Sequence, residues 1–361
     1  MDKAVQTPRP KVVFVMGATG TGKSKLAIDI ATRFSGEVVN SDKIQLHDGL
    51  PVLTNKVTPE EAAGIPHHLI GVLRPEDDCT ASEFRRMASS VVAAIVARGR
   101  LPVVAGGSNS FLEELVDGAG GEFRETYDIC YLWIDVASPE LYQSVADRVE
   151  KMVKVGLVDE VRGIFRAEDD KYSKGIRRAI GVPEMVGYFR LEPLADADLQ
   201  ALLLETAIDL IKGNTKKLVG SQLEKISRLR TLPGWDIRRI DATEVFGKCG
   251  EEAIVAWERF VLKPVFRILR DFLTAGREVD STGGEEILTG KEKDVSKVDP
   301  PASDELVSKV GPPGSEDLRC KVEPPASEEL SSMVEAHTSG GLGSKVVPPD
   351  SEGGDSFTVA P

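Results

Sequence analysis

The sequence predicts an α/β fold, in which a parallel β-sheet is flanked by helices. Apolar stretches of strand length alternate with amphipathic stretches of helix length over residues 1–138, and this alternation is typical of strand–helix–strand units. A glycine-rich segment joins the first apolar stretch to the first amphipathic one. Ligands of such folds bind at the carboxyl ends of the strands, so we expect the functional site at that edge of the sheet.

The first strand is predicted at residues 12–16, and the helix after it has Leu26, Ala27 and Ile30 at helical spacing. Between them lies a complete G-x-x-x-x-G-K-S phosphate-binding loop, formed by Gly17, Ala18, Thr19, Gly20, Thr21, Gly22, Lys23 and Ser24. Its glycines let backbone N–H groups approach phosphate oxygens, and the helix start adds partial positive charge. Lys23 adds a full charge, and the Ser24 hydroxyl can ligate Mg²⁺. The loop predicts a P-loop NTPase-like fold that binds a di- or triphosphate.

The later elements of the core follow the same alternation. They are a strand at 37–39, a helix at 81–98, and strands at 101–105 and 129–136. Residues 1–138 are therefore predicted to form the first part of the P-loop core. Residues 139–230 are mostly helical in pattern and predict a helical subdomain. Residues 231–282 are apolar enough to pack back on the core, with Trp257 and Phe260 on one side of a helix.

The chain changes character beyond Gly283. Units of the form Lys-Val-x-Pro-Pro begin at 297, 309, 321 and 345, on a 12-residue period, with a decayed copy near 333. This segment has 16 acidic and 7 basic residues, which is −9 of the formal −13. Pro-Pro forbids regular helix and the apolar content is too low for a core, so residues 283–361 predict a disordered acidic repeat tail. A partner-binding array of extended units is the alternative.

Composition excludes several classes of function. The first 282 residues are close to neutral, which argues against extended nucleic-acid binding. The four cysteines are far apart and suggest neither a zinc site nor a disulfide framework. No run of eighteen apolar residues exists, so no membrane span is expected. Residues 1–10 are too short for a transit peptide, so a cytoplasmic location is predicted for the chain as written. A plastid is the alternative if a transit peptide was removed.

Asp42 is the candidate residue that distinguishes between the possible activities of a P-loop protein. It follows the second predicted strand, where its side chain would project over the phosphate loop. A carboxylate at that position can accept a proton from an incoming nucleophile. The alternative is a structural role as the cap of the next turn, since Asn, Ser and Asp suit turns.

Several ordered blocks of sequence resemble one family. They read GATGTGKS at 17–24, NSDKIQ at 40–45, TNKVT at 54–58, IPHHL at 65–69, LPVVAGGSNS at 101–110 and IRRAIG at 176–181. Together they are similar to the isopentenyltransferase family, and specifically to the plant adenylate isopentenyltransferases of cytokinin biosynthesis. The resemblance covers about residues 11–230.

The resemblance implies transfer of the dimethylallyl group of dimethylallyl diphosphate to N6 of adenine in AMP, ADP or ATP. It implies that loop residues 17–24, with Ser108, Arg177 and Arg178, bind diphosphate or nucleotide. Thr19 would act near the bridging oxygen and Lys23 on the leaving diphosphate, with Mg²⁺ on Ser24. Asp42 would be the base for the weakly nucleophilic N6 amine. The acceptor-binding residues implied are Ser41, Asp42, Gln45 and Lys216.

The chain departs from the family pattern at one position. The family usually carries a basic residue before the glutamine of the helix that begins near Asn214, and this chain has Ser221 before Gln222. Loss of one charged hydrogen bond to the diphosphate would cost about 1.5–3 kcal/mol. Either Lys216 or Lys217 compensates, or the activity is low.

Three other functions compete with adenylate prenylation. The tRNA-modifying branch of the same superfamily attacks the same adenine N6 in a flipped-out nucleotide, but zinc-finger cysteines are missing and residues 42–45 resemble the adenylate branch. A small-molecule kinase would use the loop for ATP and move a phosphoryl group. A non-enzymatic interaction protein would depend on the repeats.

The expected partners are dimethylallyl diphosphate and an adenine nucleotide, with no membrane or nucleic acid, and the chain is expected to be a monomer.

Overall fold

Six parallel strands form one sheet in the computed structural model, which describes residues 8–167, 172 and 174–275. In chain order they are β1 (Lys11–Met16), β2 (Gly36–Asn40), β3 (His67–His68), β4 (Leu101–Ala105), β5 (Asp128–Asp135) and β6 (Ile237–Asp241). Their order across the sheet is β3-β2-β4-β1-β5-β6, and every neighbouring pair is parallel. The predicted α/β fold is confirmed. Because β1 lies between β4 and β5, the loop that follows it emerges in the middle of the carboxyl edge.

Helices cover both faces of the sheet and extend beyond it. In chain order they are α1 (Lys23–Arg33), α2 (Pro59–Ala62), α3 (Ala81–Ala97), α4 (Asn109–Asp117), α5 (Glu122–Thr126), α6 (Ser138–Lys154), α7 (Leu157–Ile164), α8 (Val182–Leu191), α9 (Ala197–Leu229), α10 (Gly250–Trp257) and α11 (Lys263–Thr274). Their starts follow local chemistry. Thr80, for example, accepts a hydrogen bond from Glu83 N while the Glu83 carboxylate accepts one from Thr80 N, a capping box that begins α3.

Alternate residues of the central strands point into two different apolar layers. On β1, Val13 and Val15 pack with α1, α10 and α11, while Phe14 and Met16 pack with α3, α4 and α5. This alternation explains why β1 is apolar throughout, since both of its faces are covered. The sheet is held rigidly from both sides, and the loop after β1 inherits a fixed starting position.

A third apolar cluster lies in the helices between β5 and β6. It contains residues of α6, α7, α8 and the first half of α9, together with Leu50 and Leu53 of the loop after β2. The far end of α9 belongs instead to the sheet, because Ile226 and Leu229 pack in the layer of α3 and α4. The 33 residues of α9 therefore connect the helical cluster to the sheet.

The four predicted strands match β1, β2, β4 and β5 to within one residue at each end, as with 37–39 against Gly36–Asn40. Neither β3 nor β6 was predicted. β6 has the burial pattern buried, exposed, exposed, buried, exposed, and it pairs with β5 from Tyr131 to Asp135. Its short, arginine-containing sequence lacks the apolar run that marks the other strands. Residues 231–275 thus contribute β6, α10 and α11 to the sheet layers.

The predicted repeat tail at 283–361 lies outside the described residues. Within the part of the chain that is described, no helix is both long and apolar enough to cross a membrane.

Candidate active site

The phosphate-binding loop lies between β1 and α1, where close contacts fix its shape. Gly20 and Gly22 have φ values of 86° and 92°, in the left-handed region that favours glycine. A Cβ on Gly20 would lie 2.6 Å from Val145 Cγ1 of α6, and one on Gly17 would lie 2.5 Å from Ile134 O of β5. Larger residues at these positions would therefore displace the loop.

Lys23 begins α1 and turns its ammonium back onto the loop. Its Nζ donates to Ala18 O at 2.7 Å, and Thr21 Oγ1 donates to the same carbonyl at 2.9 Å. Burial lowers the pKa of Lys23 to about 8, although the negative charge of Asp42 raises it and the positive charge of Arg148 lowers it. These three charged groups influence one another next to the loop, where burial strengthens their interaction.

Arg148 of α6 joins this group although no motif marks it. Its Nη2 donates to Thr19 Oγ1 at 2.8 Å, while its Nε is buried without a hydrogen-bond partner. Burial lowers the pKa of Arg148, and the charge of Asp42 acts in the opposite direction. The only signal for Arg148 in the sequence is its position on the helix. Val145 and Val149 are buried, and Arg148 is three residues after Val145, so it lies on the same side of the helix.

Asp42 lies in the turn after β2 and uses its two carboxylate oxygens differently. Its backbone N–H donates to Asn40 Oδ1 at 2.9 Å, and Ile44 N donates to Asp42 Oδ1 at 3.0 Å. That oxygen caps the turn. The other, Oδ2, lies 3.6 Å from where a Cβ on Gly107 would be, in the second glycine loop, which is formed by residues 106–108 between β4 and α4. A turn cap and a candidate base are therefore compatible in one carboxylate.

Gln222 of α9 connects the two glycine-rich loops. Thr19 N donates to Gln222 Oε1 at 2.8 Å, and Gln222 Nε2 donates to Gly107 O at 3.0 Å. Asn109 Nδ2 donates to the backbone carbonyl of Gln222 at 3.1 Å. The side chain is buried, so these bonds form away from water. Its neighbour Ser221 was noted in the sequence, but nothing there indicates the role of the glutamine.

The residues predicted to bind the acceptor lie on both sides of Asp42. Ser41 is fully buried and its Oγ has no hydrogen-bond partner. Gln45 Nε2 donates to the carbonyls of Thr54 and Asn55, which ties the loop after β2 to the site. Ser108 Oγ accepts from Lys43 N at 2.9 Å, so this predicted nucleotide contact also joins the second glycine loop to the turn of Asp42.

The remaining predicted residues are more dispersed. Ser24 is exposed in the first turn of α1. Lys216 is exposed on α9, six residues and about 9 Å along the axis before Gln222. Arg177 and Arg178 occupy the 3₁₀ turn Gly175–Arg178, and Arg178 pairs with Asp78. The loop, Asp42 and Ser108 are brought together, whereas Lys216 lies to one side.

Ser221, where the family pattern has a basic residue, is exposed on α9. Lys217 is one turn earlier, and its Nζ donates to Asn214 Oδ1 at 3.2 Å. Helical side chains lean toward the amino terminus, so this bond directs Lys217 away from Ser221. Arg148, rather than either lysine of α9, is the additional cation that contacts the loop.

Comparison with known proteins identifies relatives over most of the chain. The profile of the IPP transferase family matches residues 45–126 and 119–228. Adenylate isopentenyltransferase 3, chloroplastic, from Arabidopsis thaliana is 47% identical over 80% of this chain and 88% of its own length. Adenylate isopentenyltransferase 5, chloroplastic, from the same plant is 53% identical over 74% and 81%. Adenylate isopentenyltransferase 7, mitochondrial, is 48% identical over 78% and 86%.

Solved structures share the fold at lower sequence identity. A eukaryotic dimethylallyltransferase acting on tRNA matches 73% of this chain and 80% of its own, with a TM-score of 0.61 and 21% identity. The tRNA isopentenylpyrophosphate transferase of Bacillus halodurans matches 73% of this chain and all of its own, with a TM-score of 0.56 and 22% identity. At this identity the likeness concerns the architecture of sheet and helices.

Proposed function

This chain belongs to the IPP transferase family, and from that premise we propose that it is an adenylate isopentenyltransferase. It transfers the dimethylallyl group of dimethylallyl diphosphate to N6 of the adenine of AMP, ADP or ATP, the first step of cytokinin biosynthesis. The observation that carries the proposal is the meeting of a carboxylate, Asp42, with two partly buried cations, Lys23 and Arg148, at a phosphate-binding loop. The named plant relatives, at 47–53% identity, support the same activity.

The reaction needs both the carboxylate and the cations. N6 of adenine attacks C1 of the donor, the C1–O bond breaks, and its electron pair leaves with the diphosphate. The N6 proton passes to Asp42 Oδ2, the carboxylate oxygen that does not cap the turn. The products are the N6-dimethylallyl nucleotide and diphosphate.

The phosphate-binding loop is assigned to the donor rather than to a nucleotide that is hydrolysed. Negative charge grows on the departing diphosphate in the transition state, and Lys23 and the loop N–H groups stabilise it. Arg148 supplies the charge that Ser221 does not, because its guanidinium already contacts Thr19 Oγ1 at 2.8 Å. Thr19 is thereby oriented toward the bridging oxygen of the donor.

Magnesium fits this arrangement as an ion that arrives with the diphosphate. Among the described residues, no group of three or more His, Cys, Asp or Glu side chains is placed to hold a metal. Mg²⁺ bound to a phosphate substrate takes most of its ligands from phosphate and water, and the exposed Ser24 hydroxyl provides one protein ligand at the helix start. When bound, the ion neutralises charge on the leaving diphosphate.

The proposed acceptor, a free adenine nucleotide, distinguishes this proposal from its main alternative, in which the acceptor is tRNA. Structures that share the fold include enzymes acting on tRNA, whereas the relatives of 47–53% identity are named for adenylate. Their names also place them in chloroplasts or mitochondria; the cytoplasmic location and the monomeric state of this chain stay predictions.

The test is incubation of the protein with radiolabelled dimethylallyl diphosphate and, separately, AMP, ADP, ATP and unmodified tRNA. We expect label in the nucleotides and none in tRNA. Label only in tRNA would contradict the acceptor assignment. Conversion of ATP to ADP without a prenylated product would indicate a kinase instead.

A further inference from the structure

Proton transfer to Asp42 requires a carboxylate that points in a fixed direction, yet Asp42 lies in the turn after β2 rather than in a strand or helix. The shape of such a turn depends on where its backbone hydrogen bonds go. Here both polar groups of the Asp42 backbone bond to one side chain. Asp42 N donates to Asn40 Oδ1 at 2.9 Å, and Asn40 Nδ2 donates to Asp42 O at 3.1 Å. The conformation of Asp42 therefore depends on the amide of Asn40.

The amide of Asn40 is suited to this double bond, and its own position is fixed. Asn40 is the last residue of β2, where it pairs with Ala105 of β4, and only 4% of its surface is exposed. Its Nδ2 also donates to Leu69 O at 2.9 Å. An amide side chain offers an acceptor and two donors together. Asn40 therefore binds three backbone groups at once, which a carboxylate of the same shape could not do.

Leu69 belongs to the segment that follows β3, and its backbone is in an unusual conformation. Its φ of 61° lies in the left-handed region, which is uncommon for residues other than glycine and costs free energy. The buried leucine keeps this conformation at the position where its carbonyl accepts from Asn40. Two residues later, Gly71 N donates to Gln45 O at 3.0 Å. The chain after β3 thus supports the turn of Asp42 at Asn40 and again at Gln45.

The hydrogen bonds of Asn40 limit how the Asp42 carboxylate can turn. With the N–H and C=O of Asp42 both held, the remaining freedom is rotation about its two side-chain bonds. The bond from Ile44 N to Oδ1 restricts that rotation, so Oδ2 is left for the proton of N6. A general base is efficient when its oxygen is already placed near the reacting atom, and a displacement of about 1 Å can lower a rate about a hundredfold.

We propose that Asn40 is a positioning residue for the proton transfer, because its amide fixes the backbone of Asp42 so that Oδ2 faces N6 of the acceptor. The inference rests on the proposed function, in which Asp42 is the base. All three bonds of the Asn40 side chain are to protein backbone, and the side chain is buried. Asn40 thus acts through Asp42 rather than on a substrate, and its loss should affect kcat rather than KM.

A double-mutant cycle tests whether Asn40 acts through Asp42. Steady-state prenyl transfer would be measured for the unmodified chain, Asn40→Ala, Asp42→Asn and the double variant. We expect Asn40→Ala to lower kcat at least about tenfold, with each KM changed less than about twofold. In the Asp42→Asn background no base is left to position, so Asn40→Ala should lower kcat by less than about threefold. A residue that only stabilises the fold would have the same effect in both backgrounds.

Two further variants separate positioning from stability. Asn40→Asp has nearly the same shape and keeps the acceptor for Asp42 N, but loses both donors of Nδ2. We expect the same kinetic pattern from it, which keeps the test available if Asn40→Ala does not fold. Trp235→Phe is the matched control, since the buried Trp235 donates from Nε1 to Asp117 Oδ2 at 2.8 Å just before β6, at the amino end of the sheet. It should lower Tm in thermal unfolding and leave kcat unchanged.

The cycle also distinguishes this inference from the proposed function. If the chain prenylates AMP and the effects of Asn40→Ala and Asp42→Asn on kcat simply multiply, the function stands and the positioning role is wrong. If the chain prenylates tRNA instead, the proposed acceptor is wrong, and the same cycle with tRNA still tests Asn40. A rise in KM that accounts for the lost activity, failure of both Asn40 variants to fold, or absence of prenyl transfer to any acceptor would each overturn the inference.

Discussion

At the scale of single residues, Asp42 shows how one side chain serves both structure and chemistry. Its Oδ1 accepts from Ile44 N, which an asparagine oxygen could do as well, whereas only a carboxylate can take the proton of N6. We therefore expect Asp42→Asn to keep the fold and the affinity for AMP, and to lower kcat about a hundredfold or more. Steady-state prenyl transfer and calorimetry of AMP binding measure the two effects.

Asp48→Asn is the control for that substitution. Asp48 is an exposed acid six residues later, whose Oδ1 accepts from Gly49 N. Its replacement should leave kcat within about twofold, as expected of a surface site. Near-normal turnover of Asp42→Asn would remove Asp42 from the mechanism.

The lowered pKa of Lys23 predicts that capture of the donor, dimethylallyl diphosphate, weakens at alkaline pH. With a pKa of about 8 in the free protein, the ammonium is charged below pH 8 and loses its charge as the pH rises. We expect kcat/KM for dimethylallyl diphosphate to fall above pH 8, toward tenfold per pH unit, because kcat/KM reports the free enzyme. A bound diphosphate raises the pKa of Lys23, so kcat should persist to higher pH.

Lys23→Arg checks the assignment, because arginine stays charged throughout this range. Its activity should be lower, but the decline of kcat/KM above pH 8 should disappear. An unchanged decline would mean that another group titrates. If Lys23→Ala altered only the KM of the adenine nucleotide, the loop would not serve the donor.

Ser221 offers a gain-of-function experiment at the same scale. The side chain is exposed and adjacent to Gln222, whose Oε1 accepts from Thr19 N of the loop. An arginine at 221 can extend without displacing buried atoms. We expect Ser221→Arg to lower the KM of dimethylallyl diphosphate several-fold, with the KM of AMP unchanged, consistent with about one added charged hydrogen bond. No change would indicate that Arg148 already satisfies the diphosphate.

At the scale of elements, α9 links the helical cluster to the catalytic loops through Gln222. Replacement by leucine removes the acceptor for Thr19 N and the donor for Gly107 O. We expect Gln222→Leu to lower Tm, because the buried groups left unsatisfied cost about 1–3 kcal/mol in the free energy of unfolding. We also expect it to raise the KM of the donor and to reduce kcat at least about tenfold. Steady-state kinetics and thermal unfolding measure both.

Gln200→Leu separates stability from positioning. Gln200 is on the same helix, 22 residues and about 33 Å away, and its Nε2 donates to the carbonyls of Glu192 and Ala195. This variant should lose stability without a change in donor KM. Equal kinetic effects in the two variants would show that Gln222 acts only by holding α9.

The elements that the sequence predicts well are those whose interactions are local. The strand at β1, the loop and α1 follow one another within 23 residues, and glycine placement, charge and helical spacing all agree there. Arg148 and β6 depend on distant partners instead. Arg148 meets Thr19 across 129 residues, and β6 is defined by its pairing with β5, which no local pattern records.

The same distinction applies to the site. The loop and Asp42 could be predicted because a motif or a strand end marks each of them. The bond of Gln222 to Thr19 and the pairing of Arg178 with Asp78 could not, since they arise only when α9 and the 3₁₀ turn pack against the sheet. Lys216, which only the resemblance implies, is exposed on α9, and its role in acceptor binding stays a prediction.

At the scale of the whole molecule, the charge is separated along the chain. The first 282 residues carry about −4 and the remainder −9 of the formal −13. The sheet, its covering helices and all candidate site residues lie within residues 8–275. The repeat segment contributes no predicted strand or core-forming helix, so its composition predicts that catalysis does not require it.

Truncation after Gly283 tests that separation. It removes the 12-residue units with their Pro-Pro pairs and most of the negative charge. We expect Tm to change by no more than about one or two degrees, because segments outside the core contribute little to stability. The KM values for dimethylallyl diphosphate and AMP should also stay the same, measured side by side with the full chain at one ionic strength, since the removed charge is screened beyond about 10 Å at 0.1 M salt.

A fall of about ten degrees in Tm, far above the effect of a surface change, or loss of transfer would mean that the repeats pack on the enzyme. Unchanged constants would assign them a role separate from prenyl transfer.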